Sequence, residues 1–356
     1  MASLFDPISI NRLALRNRFV RSATMDSMAN EGMVSESEID LYRVLARGEI
    51  GLIVSHGLYP TKGGQCSPRQ LGAHTDETIP SLERLVRTVH ENGGKIAAQI
   101  LHGGWMCSQD VTGLSPVGPS AFVNPRSGVT VRALSSDEIF EVVDGYAKAA
   151  ARIIEAGFDG IQLHGAHSWL ISAFLSPATN RRDDKWGGSV QNRARFLREL
   201  YRAIRKVAGP DYPIMIKLGI KDYHPEGKTA VEGLEVATLL EQDGFDAIEI
   251  SEGLEQDFFH HIRREAVTPY YLEECREARN KLSLPLILVG GMRKLADMQK
   301  VLDNNTADVI SMCRPFIMNP GLVRDFRESR SDSSGCISCN ECMVGMSEGR
   351  LRCVLV

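Results

Sequence analysis

Residues 135 to 163 read SSDEIFEVVDGYAKAAARIIEAGFDGIQL. Ile139, Val143, Tyr146, Ala150 and Ile153 recur at about 3.6 residues, the repeat of one buried helical face. Ser135 followed by Glu138 is a capping-box signature that starts such a helix. Gly157 interrupts the pattern, and Gly160 to Leu163 is a short apolar run of β type. A helix delivering the chain into a buried strand is the repeating unit of a parallel α/β fold, because only a crossover returns the chain to pair in parallel.

The unit recurs in both directions. Gly157-Phe158-Asp159-Gly160-Ile161 has an echo in Gly244-Phe245-Asp246-Ala247-Ile248, 87 positions later. Further strand-type runs are 18–23, 51–55, 95–100, 213–218, 247–250, 286–289 and 307–312, and Ser35 with Glu38 repeats the capping box. Eight strand-then-helix units at about 44 residues each most simply close into a (β/α)8 TIM barrel, with an open doubly wound sheet as the competing arrangement. The division expected is a barrel over 1–328 and a short Cys-rich tail over 329–356.

Composition supports this class. The chain has 356 residues, 43% apolar and 24% charged, with a net charge of −4, which excludes disordered, collagen-like and coiled-coil architectures. Lys and Arg form no basic run, so no nucleic-acid partner is expected. No signal-type N-terminus and no bilayer-length apolar run is read, so the expected location is the cytoplasm, away from membranes.

In a TIM barrel the chemistry gathers at the C-terminal strand ends, so polar residues there carry the reading. Val289-Gly290-Gly291-Met292 and Met312-Cys313-Arg314-Pro315 follow the last two strands. They suit a phosphate, or are two tight turns with a surface Arg. His164 and His167 follow the fourth strand. Such a pair can donate hydrogen bonds to a carbonyl or nitro oxygen, bind a metal, or serve as structural imidazoles. Lys217 and Gln99 each interrupt an apolar run. Lys217 either stabilises negative charge on a bound ring or snorkels at the rim, and Gln99 needs a partner such as a heterocycle edge. The polar loop 175–189 either carries function or locks the barrel rim. Four of the eight cysteines end the chain as Cys336-x2-Cys339-x2-Cys342-x10-Cys353, a spacing open to a 4Fe-4S cluster, a zinc ion or reduced thiols.

Taken together these stretches resemble the Old Yellow Enzyme family of FMN-dependent oxidoreductases, in the branch containing 2,4-dienoyl-CoA reductase and trimethylamine dehydrogenase. The resemblance runs from Leu4 to the C-terminus. It rests on Asn17-Arg18-Phe19-Val20, Gly51-Leu52-Ile53-Val54, Lys95-Ile96-Ala97-Ala98-Gln99, the His164/His167 loop, Asn180-x-Arg182-x-Asp184-x-x-Gly187-Gly188-Ser189, Arg314-Pro315-Phe316 and the Cys tail. It implies FMN at the barrel mouth, with Ala23, Thr24, Met25 and Gly57 along the flavin and Gln99 on its pyrimidine edge. Lys217 falls near N1 and O2, Gly291, Cys313 and Arg314 on the phosphate, and His164 and His167 on the substrate oxygen. Trp169 stands where the family usually places a proton-donating Tyr, and Met25 replaces the usual Thr, Cys or His. The relatives space their cluster ligands as Cys-x2-Cys-x3-Cys-x11-Cys, one residue longer in two gaps.

The function this implies is hydride transfer from NAD(P)H through flavin N5 to an electron-poor alkene, an enone or enoyl thioester. The alternatives are an oxidative amine or ether dehydrogenase and a flavin/iron–sulfur electron-transfer subunit. Expected partners are a small-molecule substrate, an electron-donor protein acting through the tail, and further copies of the chain.

Overall fold

A computed structural model describes residues 2–125, 127–255 and 269–356. Eight parallel strands close into a barrel: β1 (Phe19–Arg21), β2 (Leu52–Leu58), β3 (Ile96–Ile100), β4 (Gly160–Gly165), β5 (Ile214–Tyr223), β6 (Ala247–Glu255), β7 (Leu286–Val289) and β8 (Val309–Met312). Each pairs with its chain neighbours and β8 returns to β1, so the open sheet is excluded. Crossover helices include α1 (Glu36–Arg47), α2 (Ile79–Glu91), α3 (Ser136–Glu155), α4 (Val190–Ala208) and α5 (Ala230–Asp243). Both expected capping boxes form, at Ser35/Glu38 and Ser135/Glu138, and Thr229/Glu232 adds a third at α5.

Strand alternation sets what fills the barrel. Val20, Leu52, Val54, Ala97, Met215, Ala247, Ile287 and Val309 form one apolar cluster. An N-terminal hairpin, Ile8–Ile10 against Leu13–Leu15, adds Ile10, Leu13 and Leu15 to it and plugs that end. Two residues further along these strands the pattern turns polar: Ser22, Gln99, Lys217, Glu249 and Ser311 follow Val20, Ala97, Met215, Ala247 and Val309, and all are buried. The barrel is therefore sealed with hydrocarbon at its base and lined with polar groups toward the strands' C-terminal ends.

β5 and β6 run further than the apolar pattern indicates, to Tyr223 and Glu255. Lys221-Asp222-Tyr223 reads as loop, yet the Asp222 carboxylate accepts the Leu254 and Lys228 amides (2.8 and 2.6 Å). The backbones meet so closely that a Cβ on Gly219 would lie 2.3 Å from Gly253 Cα. The resulting arm stands above the rim and carries part of the site. Among the described residues no helix is long and apolar enough to cross a membrane.

Candidate active site

A cavity of about 440 Å³ opens at the C-terminal mouth of the barrel. Its wall includes every flavin-site residue named from the sequence: Ala23, Thr24, Met25, Gly57, Gln99, Lys217, Gly290, Gly291, Cys313 and Arg314. His164, His167 and Trp169 line the same space.

Register explains the polar floor. Gln99 pairs across the sheet with Gln162, and Lys217 with Glu249. The Gln99 amide donates to Gln162 Oε1, and Gln162 donates to Glu249 Oε2, each at 2.8 Å. Glu249 Oε1 accepts from Ser22 Oγ (2.7 Å), Ser311 Oγ (2.9 Å) and Lys217 Nζ (3.2 Å). Burial alone would push the Glu249 carboxyl up. The Lys217 ammonium and the hydrogen bonds from Ser22, Gln162 and Ser311 outweigh it and hold the group below its ordinary value. Lys217 is thus no snorkelling rim residue: it sits at the floor, 5% exposed, facing a carboxylate.

The histidines are built from a strained turn. His167 and Ser168 both take positive φ, 54° and 65°. The turn is held because their amides donate to Glu252 O and Gly253 O on the β6 arm. Ser251, on the same arm, lies 2.8 Å from His167 Nε2. The Ala166 amide donates to His164 Nδ1 (3.4 Å), so a neutral His164 carries its proton on Nε2. The two rings meet edge to face, 5.1 Å apart, with Trp169 6.2 Å from His164. Two imidazoles fixed this way can hold one oxygen atom between them.

At the phosphate-type loops, Gly290 and Gly291 take φ of 93° and 77°. A Cβ on Gly290 would lie 2.6 Å from the Tyr270 ring, so a larger residue does not fit. Arg314 donates to Tyr270 Oη (2.8 Å) and to Asn340 Oδ1 (2.6 Å). Thr24 Oγ1 donates to Cys313 Sγ (3.1 Å), joining β1 to the last strand.

Asn340 belongs to the tail, which is docked on the barrel mouth. Arg293 donates to Cys336 O (2.7 Å) and to Ser338 Oγ. Cys336, Cys339, Cys342 and Cys353 surround a second, smaller cavity with Arg314 and Ile317. Cys342 lines both cavities. Among the described residues, only Asp26, Glu38 and His56 form a set of three or more ligand atoms mutually within 4.8 Å. No three of the tail sulfurs lie mutually within that distance.

The polar loop 175–189 does not reach the cavity wall. Asn180 donates to Phe174 O and Trp186 O (2.7 and 2.8 Å), Arg182 to Pro119 O and Leu134 O (2.9 and 2.6 Å), and Ser189 caps α4. It locks the rim. Sequence reasoning passed over Gln162, Glu249 and Ser251, although Glu249 breaks Ala247-Ile248-Glu249-Ile250 just as Gln99 breaks its own strand. It also passed over the buried group beside the flavin-lining turns. There His56 Nε2 lies 3.2 Å from Glu38 Oε1 and 3.7 Å from Asp26 Oδ1, with Arg21 close by.

Residues 3–333 match the model of the NADH:flavin oxidoreductase / NADH oxidase family. The chain is 35% identical to an NADH oxidase of Thermoanaerobacter brockii over 99% of its length, and 33% identical to an NADPH dehydrogenase of Bacillus cytotoxicus over 90%. It covers 56% of the former and 91% of the latter. The structure superposes on 2-naphthoyl-CoA reductase, in complex with 2-naphthoyl-CoA, with a TM-score of 0.92 at 28% identity, covering 98% of this chain and 56% of that one. The chain thus spans little more than half of two of these relatives. The family match agrees with the barrel and with the gathered cavity residues: the chain belongs to the NADH:flavin oxidoreductase / NADH oxidase family, the flavin-dependent oxidoreductases of the Old Yellow Enzyme type.

Proposed function

We propose that the chain binds FMN in the barrel-mouth cavity and passes hydride from NAD(P)H to an electron-poor alkene, an enone or enoyl thioester. The observation that carries this reading is that one cavity joins a polar floor, a glycine–arginine corner and a histidine pair. These surfaces fit the group: buried amide and ammonium donors for the ring's polar edge, apolar Met25 and Met312 for its faces, and Gly290 and Gly291 turned for close approach by a phosphate. FMN, when bound, supplies the hydride chemistry at N5.

The chain's own residues orient and polarise. Gln99 would present its amide to the pyrimidine edge, and Lys217 would place positive charge beside N1 and O2. Ala23, Thr24, Met25 and Gly57 would lie along the ring, with Gly290, Gly291, Cys313 and Arg314 around the phosphate. His164 and His167 would grip the substrate oxygen, drawing electron density from the alkene so that it accepts hydride. Ser251 and the Ala166 amide fix the ring orientations beforehand. The Trp169 indole is no proton donor at neutral pH, so the proton for the second alkene carbon comes from water.

The four tail thiols would hold a 4Fe-4S cluster. Cys342, common to both cavities, supports a second reading in which a partner protein delivers electrons through the tail. An anaerobic absorbance spectrum after FMN addition, followed by NADPH and cyclohexenone, tests both. Flavin bleaching by NADPH and its return with the enone is the expected result. Bleaching only by reduced ferredoxin would favour the relay. Bleaching by an amine without NADPH would favour the dehydrogenase direction.

A further inference from the structure

Two cysteines outside the tail meet beside the cavity. Cys66 lies in the loop after β2 and forms part of the cavity wall. Cys107 lies in the loop after β3 and is buried, 7% exposed. Backbone bonds draw the two loops together: the Gly103 amide donates to Gly64 O at 2.9 Å. Gly64 is pressed against the His102 ring, where a Cβ would come within 2.6 Å of Cδ2.

Gly103 sits between the thiols. A Cβ there would lie 2.6 Å from Cys107 Sγ and 2.9 Å from Cys66 Cβ. Those two atoms are therefore no further apart than the sum of these distances, and a turn of the Cys66 side chain carries its sulfur toward Cys107. Disulfides need Cβ atoms about 4 Å apart, a spacing that this bound on Cys107 Sγ to Cys66 Cβ allows, so rotamer change with backbone adjustment would close the link. Both thiols are free. Cys66 Sγ is within 3.2 Å of Gln70 Oε1, and Gln70 in turn donates to Gly57 O (2.8 Å), so the thiol is held over the Gly57 section of the wall. Any side chain at Gly103 would separate the pair.

We propose that Cys66 and Cys107 form a redox-active dithiol that exchanges an electron pair with the flavin in the neighbouring cavity, an exchange that rests on the FMN reading above. In the oxidising direction two S–H bonds break and one S–S bond forms. The electron pair and one proton pass to oxidised FMN, and the second proton leaves to water. In the reverse direction reduced FMN returns the pair, one proton is taken from water, and both thiols are restored. The dithiol gives the chain a two-electron store within its own wall. Closing it withdraws the Cys66 sulfur from the cavity. Burial pushes the Cys66 thiol up to about 12, so the reactive thiolate is scarce and its fraction rises about tenfold per pH unit below that value.

The test uses flavin-loaded protein, its C107S variant and a C66A variant, all treated with diamide and freed of excess oxidant. Peptide mapping without reductant is expected to show a Cys66–Cys107 link in the wild type only. Anaerobic titration with dithionite is then expected to consume two more electrons per chain in the wild type than in either variant. Linkage should also form about tenfold faster for each added pH unit. A flavin-loaded wild type that never forms the link, or that forms it but takes no additional electrons, overturns the dithiol proposal. Protein that forms the link yet binds no FMN overturns the flavin reading and the exchange resting on it, so the two failures are distinct.

Discussion

Lys217 Nζ lies 3.2 Å from Glu249 Oε1, and the two residues are register partners across β5 and β6 at the cavity floor. The cation proposed to sit beside the flavin is therefore half of a neutral pair, and its field is softened by a carboxylate that is itself fully buried. Replacing Glu249 with Gln keeps the hydrogen-bonding shape and removes the negative charge. At an effective dielectric of ~20 the change reaches a few kcal/mol for charges several ångströms apart. The expected result is a flavin midpoint potential raised by on the order of 50 mV, with K217M shifting it the other way. Spectroelectrochemical titration reads both. Equal potentials in E249Q and wild type would show that the pair does not reach the ring.

Ser251 touches His167 from the β6 arm, its Oγ 2.8 Å from Nε2. In S251A the imidazole loses this contact, which helps to set its tilt. Loss of one orienting hydrogen bond, about 1 kcal/mol, predicts a kcat/KM for cyclohexenone reduced several-fold, mainly through KM. H164A combined with H167A should reduce it by about a hundredfold or more. NADPH-driven flavin bleaching, measured separately by stopped flow, should hardly change in S251A.

Much of the cavity wall was readable in the sequence. The eight apolar runs announced the strands, and Gln99 and Lys217 announced the floor by interrupting them. What the order of residues does not contain is which strand lies beside which at which register. Gln162 and Glu249 look like isolated polar residues until β3 pairs with β4 and β5 with β6. The upper half of β5 was invisible for a different reason. Its strand character comes from Asp222 capturing the Leu254 amide of β6, a tertiary effect that overrides a polar local sequence. The strained His167-Ser168 turn is likewise imposed from outside, by acceptors on that arm.

The buried group behind the cavity predicts a pH-dependent stability. Burial pushes the Asp26 carboxyl up to about 6 despite the attraction of His56. Burial would lower His56, but Asp26 and Glu38 outweigh it and hold the imidazole above its ordinary value. Both groups keep protons in the folded state that the unfolded chain has released. Their contribution is therefore present at acid pH and lost as pH rises from about 4 through neutrality. Replacing His56 with Gln leaves two buried carboxylates beside Arg21 alone. The expected cost is about 3–5 kcal/mol near pH 5, where the charged imidazole faces Glu38, and smaller near pH 8, where the wild type has itself lost that contribution. Thermal unfolding of wild type and H56Q across that range tests the sign. A gap that widens with rising pH would contradict it.

Trp169 lines the cavity beside His164 in the position that the family usually gives to an acidic phenol. Its indole N–H does not ionise usefully near neutrality, so alkene reduction is expected to depend on water for its proton. Converting Trp169 to Tyr restores a positioned hydroxyl. If protonation limits turnover, W169Y should raise the cyclohexenone rate, and the solvent isotope effect should change as the donor passes from water to the phenol. The rate of flavin bleaching by NADPH should stay near that of the wild type, because that half-reaction needs no such acid. An unchanged or lower enone rate with an unaltered isotope effect would mean that proton delivery is not the slow step, and that Trp169 serves the cavity by its shape.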